Sequence, residues 1–192
     1  MTSSSKSLRL AVIGVGVTVL AGCGSSDQGN ARPSGGASGS SGSTASLAAD
    51  VPAGYDPCKD IPQSVLDSEN LRGKDKDDSN ASGGIKWRGC GWVQPDGYSP
   101  SIRTTNITVD MVRDKKFHDA HEFTISGRQA ISARQAHDHP ESMCVVNVEM
   151  KGGSLEFFLD NPPSNRKTGK LDTCELARTL AEKVVPTMPA NV

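Results

Sequence analysis

The chain has 192 residues, with 21 Lys and Arg against 22 Asp and Glu, for a formal net charge of −1. That balance leaves no basic footprint for nucleic acid. No apolar run after the N-terminal one is long enough to cross a bilayer.

Lys6 and Arg9 precede the apolar run Leu10 to Leu20, which ends in Leu20, Ala21, Gly22 and Cys23. A basic start, a short apolar core and small residues before a cut make residues 1–22 an export signal. The tetrapeptide LAGC resembles the lipobox of bacterial lipoproteins. The resemblance implies that Cys23 is lipidated and becomes the first residue of the mature chain. Losing Lys6 and Arg9 moves the charge to 19 − 22 = −3. Two or three acyl chains, at about 0.8 kcal/mol per buried methylene, would hold the chain to the outer face of the cell membrane without threading it. Residues 23–50 are dominated by Gly and Ser and have almost no bulky apolar side chain. They read as a disordered tether with a reach of about 30 Å, ahead of a single domain over 51–192.

Within that domain, YDPCKDIPQSVLDSENLRG reads as a capped helix. Asp56 and Asp60 are the cap candidates and Gly73 the stop. GKDKDDSNASGG reads as a polar loop. IKWRGCGWV alternates as a strand, with Ile85, Trp87 and Gly89 on one face and Cys90 and Trp92 on the other. One tryptophan is then expected in the core, and the other either serves as an exposed binding aromatic or lies under the long preceding loop. SIRTTNITVDMV is expected to continue the sheet, with a bulge reconciling Ile102 and Thr104 with Ile107, Val109 and Met111. RDKKFHDAHEF reads as a short helix or irregular excursion with Phe117 and Ala120 inward. FTISGRQAISARQA is a strand pair about Gly127. MCVVNVEM and SLEFFLD, joined by Lys151-Gly152-Gly153, form the clearest hairpin. Asp172 and Glu175 have capping-box spacing, and Leu176, Ala177, Leu180, Ala181 and Val184 form one helical stripe before Pro186. Helix, strands, short helix, strands, helix is the order of an α+β fold. The expected architecture is an antiparallel sheet with N- and C-terminal helices packed on one face.

Five cysteines are odd for an exported chain. With Cys23 lipidated, Cys58, Cys90, Cys144 and Cys174 remain, which reads as two disulfides with three possible connectivities. The sequence-local pairs Cys58–Cys90 and Cys144–Cys174 are the expected ones. No C-x-x-C pair favours zinc or a redox couple.

The lipobox, the tether, DPC at 56–58, CGW at 90–92, SGRQAI at 126–131, MCVV at 143–146 and DTCELA at 172–177 occur in an order that resembles an actinobacterial lipoprotein family, domain of unknown function 3558. The resemblance covers roughly residues 55–189. It implies export and lipid anchoring, and carries no activity or site residues.

The one place that invites chemistry is ARQAHDHPESMC, residues 133–144. His137 and His139 there, with His118 and His121 upstream, are weak candidates for a metal site. Pro140, Glu141 and Ser142 mark the second pair as a loop. No G-x-S-x-G or other nucleophile pattern is present. The glycines at 83–84 and 152–153 are turns, and Asn80 and Asn106 head glycosylation sequons. The sequence therefore predicts a non-enzymatic, lipid-anchored envelope protein with no cofactor. Its partners would be the membrane, through Cys23, and an envelope protein or wall component, with no nucleic acid. A small-ligand sensor or carrier with a pocket between helix and sheet is the first alternative. A metal-dependent envelope hydrolase using the histidines is the second.

Overall fold

The computed structural model describes residues 46–192 apart from His118, Ala136 and His137. The export signal, Cys23 and most of the tether lie outside the described residues.

The N-terminal segment forms two short helices, α1 (Pro57–Asp60) and α2 (Gln63–Ser68), where one was expected. Pro62 divides them, because its ring cannot continue the preceding turn. Asp56 caps α1 by accepting from the Cys58 N–H at 3.0 Å. Asp60 accepts from the Asp56 N–H at 2.7 Å and caps nothing downstream. The stop comes before Gly73. Asn70 takes the left-handed conformation (φ 52°), with Asn70 N–H to Asp67 carbonyl and Leu71 N–H to Leu66 carbonyl closing the turn. That pair of bonds is the Schellman arrangement, which asparagine as well as glycine can supply.

The supposed polar loop contains two strands, β1 (Arg72–Lys76) and β2 (Ser79–Asn80), both antiparallel to β3 (Lys86–Val93). β4 (Ser99–Thr105) returns beside β3. The strand then stops, and no bulge carries it into residues 107–111. Thr108 accepts from the Met111 N–H and starts α3 (Val109–Asp114), whose Val109 and Val112 are buried on one side. β5 (His121–Ile125) and β6 (Arg128–Ala133) form a hairpin, as do β7 (Met143–Met150) and β8 (Gly153–Asp160). α4 (Thr173–Val184) closes the fold, capped by Asp172, which accepts from the N–H groups of Cys174 and Glu175.

The sheet is wholly antiparallel, in the order β1-β3-β4-β8-β7-β6-β5, with β2 also on β3. Strand alternation gives it two faces. On one, Cys90, Trp92, Ile102, Phe157, Leu155, Val146 and Val148 meet the buried stripe Ala177, Leu180, Ala181 and Val184 of α4. Leu180 and Val184 are fully buried, each worth roughly 1.5–3 kcal/mol. On the other face α3 packs over β6 and β7, with Val109 and Val112 meeting Ile131 and Ala133 and Phe117 and Ala120 packed alongside.

The disulfides Cys58–Cys90 and Cys144–Cys174 pair as expected and span 32 and 30 residues. The first ties α1 to β3, and the second ties the start of α4 to β7. Asn106 ties down the tether's end. Buried at the close of β4, it donates to the carbonyls of Ala48 (2.8 Å) and Gly84 (2.9 Å) and accepts from the Lys86 N–H (2.9 Å). Its amide is fully used, so this sequon is closed to modification in the folded chain.

Candidate functional site

Residues 106–108 and α3 lie over β6, β7 and the start of β8 on the second face, and Trp87, Met143 and Phe158, farther along that face, are only partly buried. Cross-strand register there sets Arg103 of β4 between Gly89 of β3 and Glu156 of β8. Trp87, two residues before Gly89, and Phe158, two residues after Glu156, share the face by parity. A Cβ at Gly89 would lie 2.7 Å from the Arg103 Cα and 2.2 Å from the Ile102 carbonyl oxygen, so glycine is what lets Arg103 lie flat against β3.

The Arg103 guanidinium lies 5.7 Å from the Trp87 ring centre and 5.8 Å from that of Phe158. Its Nη2 donates to Glu156 Oε1 at 2.6 Å, and its Nη1 reaches both oxygens of Asp77 at 3.4 Å. The Trp87 indole Nε1 donates to Glu156 Oε2 at 3.0 Å. Both oxygens of Glu156 are thus engaged, which a carboxylate exposed by only 7% at its side chain requires. The cation is held between two rings and the indole is oriented by the carboxylate. The result is a preformed aromatic platform. Trp87, Arg103, Gln135, Met143, Val145, Glu156 and Phe158 line a shallow cleft of about 260 Å³ over it. Trp87, Met143 and Phe158 are partly buried, and Val93 on the same face is 50% exposed. Of the two tryptophans, Trp92 is the core one, at 3% exposure.

This composition can serve docking. Tryptophan, arginine and methionine are enriched at interface centres, and here their side chains are ordered before any partner arrives, which lowers the entropic cost of association. Arg103 has its charge matched on two sides by carboxylates, so the cluster offers no free cation for an anion. The carboxylate and indole make no nucleophile–base pair.

Three larger clefts lie elsewhere among the described residues. One of about 840 Å³ lies between residues 51–60 and β3, lined by Tyr55, Asp56, Lys59, Lys76, Asp78 and Arg88 among others. Its charged groups are largely spent on each other: Lys59 pairs with Asp56 at 2.6 Å and Lys76 with Asp78 at 2.8 Å. Those hydrogen bonds hold both carboxyls below the usual carboxylate range. Arg88 donates to the Ser79 and Trp87 carbonyls and to the Asn80 side-chain oxygen. A second, of about 470 Å³, runs between β5 and α4, and a third, of about 450 Å³, lies between residues 58–66 and β1.

Of the four histidines, His118 and His137 fall outside the described residues. His121 begins β5 and lines the β5–α4 cleft. His139 sits in a left-handed turn (φ 52°) at 84% side-chain exposure, its Nδ1 3.5 Å from Glu141 Oε1. Among the described residues, no group of three or more His, Cys, Asp and Glu side chains is placed to hold a metal ion. Sequence reasoning singled out Trp87 but missed Arg103, Glu156 and Phe158. Their signal was register across three strands, which a linear chain does not display.

A family model, described as protein of unknown function, domain 3558, matches residues 18–187. The chain belongs to that family. No curated protein and no solved structure matches it.

Proposed function

We propose that this member of the family is an exported, lipid-anchored and non-enzymatic binding module, meeting an envelope partner through the Trp87–Phe158 face. The observation that carries the docking surface is the guanidinium of Arg103 held between those two partly exposed rings. Export and anchoring rest on the basic start, the apolar run and LAGC. They are supported by the cysteines: two disulfides fit an oxidising compartment and leave Cys23 as the unpaired fifth.

Each half has its own test. Cys23→Ser should move the chain from the membrane fraction to the soluble one, and a variant still membrane-bound and unchanged in processing would sink the lipobox. For docking, affinity capture from envelope membranes is compared between the native chain and Trp87→Ala. A partner enriched by the native chain should be lost with Trp87→Ala while far-ultraviolet circular dichroism stays the same. Equal capture by both chains, or none by either, refutes the surface.

A second reading has its own observation. The 840 Å³ cleft between residues 51–60 and β3 has the size of a small-molecule site, commonly about 300–1,000 Å³. A thermal-shift screen of small polar metabolites, compared with Arg88→Ala, tests a carrier or sensor role. No shift with any compound rejects it.

A further inference from the structure

The two edges of the sheet are built differently. β1 is blunted: its sequence is RGKDK, its side chains are exposed, and its register with β3 shifts between Arg72 and Asp75. Charge and a bulge are the usual guards against another strand adding there. β5 is HEFTI, with no lysine or proline, and its ladder with β6 runs unbroken from His121↔Ser132 to Ile125↔Arg128. Among the described residues it has a neighbour only on the β6 side.

The hairpin decides which backbone groups are free. Ser126 and Gly127 both have positive φ, the signature of a two-residue turn that makes Ile125 and Arg128 a bonded pair. By alternation, His121 and Phe123 bond inward, while the N–H and C=O of Glu122 and Thr124 point away from β6. The same alternation turns the side chains of His121 and Phe123 toward α4. There Phe123, Ser132, Glu175 and Arg178 line the 470 Å³ cleft, with the Arg178 guanidinium 4.9 Å from the centre of the Phe123 ring. Carboxylates outnumber guanidinium groups on the α4 side of the cleft: Arg134 and Arg178 against Asp119, Asp172 and Glu175, or 2 − 3 = −1, while the Glu122 side chain lies on the α3 side and is held there by Arg113.

We propose that β5 accepts an extended segment of a partner polypeptide as an added antiparallel strand, with a basic side chain of that segment in the cleft between β5 and α4. Only another backbone matches the spacing of the free donors and acceptors, and strand addition beside a helix lets alternate side chains supply selectivity. The excess of carboxylates sets the sign of the side chain that enters. Pairing β5 with a second copy would instead bring two clefts of like charge together. This site is separate from the Trp87 face, so either can fail without the other.

The test is a titration of the isotope-labelled full chain in detergent micelles with a blocked heptapeptide of alternating valine and lysine, and with its valine–glutamate counterpart. Amide hydrogen exchange at Glu122 and Thr124 should slow by about tenfold on saturation with the lysine peptide and stay unchanged with the glutamate peptide. Thr124→Pro removes an outward N–H that the β6 ladder does not use, and should weaken binding by about tenfold or more. Glu175→Lys, an exposed change on α4, covers the case in which the proline variant does not fold: it should move the preference toward the glutamate peptide. Absence of binding, protection elsewhere, full binding by Thr124→Pro, or no change of preference with Glu175→Lys overturns the proposal. So does protection of the two amides that grows with protein concentration when no peptide is present, which marks a second copy as the occupant.

Discussion

Arg103→Ala should cost about 3–5 kcal/mol of folding stability, the range for breaking a buried pair from one side. The structure says why this side is the expensive one. Glu156 is exposed by 7% at its side chain and keeps only the neutral Trp87 indole as a donor once the guanidinium is gone. Arg103 is less dependent on its partner. With Glu156→Gln, it keeps Asp77 at 3.4 Å, 15% exposure to solvent and two aromatic faces. It also keeps a neutral acceptor in place of the carboxylate. That change should therefore cost about 1–2 kcal/mol. Replacing both, as Arg103→Met with Glu156→Leu, removes the desolvation cost together with the attraction and should cost less than Arg103→Ala alone. The assay is urea unfolding of the oxidised chain, followed by tryptophan fluorescence and far-ultraviolet circular dichroism, with the slope checked for constancy. Because whole domains are stable by only about 5–15 kcal/mol, the predicted difference is easily resolved. A double variant as unstable as Arg103→Ala, or Glu156→Gln costing more than Arg103→Ala, would refute the account of the pair.

Three further outcomes follow from other parts of the fold. Replacing Cys144 and Cys174 together by Ala should lower stability by about 2–5 kcal/mol, because their 30-residue loop is then open in the unfolded chain; unchanged urea midpoints would contradict this. Asn106→Ala leaves the carbonyls of Ala48 and Gly84 without their donor, so limited proteolysis should cut near residues 46–50 faster, and an unaltered cleavage rate would show that Asn106 is not the clamp. Tyr98 donates to Glu69 Oε2 at 2.7 Å, and burial, then that hydrogen bond, raises its phenol above the usual range. Its folded state holds the proton more tightly than the unfolded one. The contribution is therefore complete below about pH 10 and lost above it, at up to about 1.4 kcal/mol per pH unit. Tyr98→Phe should flatten that alkaline slope, measured by urea midpoints between pH 9 and 11; an unchanged slope removes Tyr98 as its source.

Some of this architecture could be read directly along the chain. α4 carries its own cap at Asp172, its own stripe and its own stop at Pro186, all within a few turns, so local rules were enough. The β5–β6 and β7–β8 hairpins carry short Gly turns between β-forming runs for the same reason. Residues 107–111 were misread because Ile107, Val109 and Met111 match a period of two. The competing signal, Thr108 capping Met111 with Val109 and Val112 on one side, spans a single short helix.

What the chain determined alone was therefore whatever depends on neighbours in sequence: the strand alternation that put Trp87 and Trp92 on opposite faces, the last helix and the hairpins. The sequence-local pairing of cysteines also matched, since each pair joins elements brought together by those units. Tertiary structure decided the rest. β1 is fully exposed and charged, so it has no apolar period, and only pairing with β3 makes it a strand. Arg103, Glu156 and Trp87 lie up to 69 residues apart and meet only because β3, β4 and β8 align in one register. Which edge is guarded and which is open likewise follows from strand order. Local sequence sets the faces of a strand, but the identity of its neighbours is a property of the closed sheet.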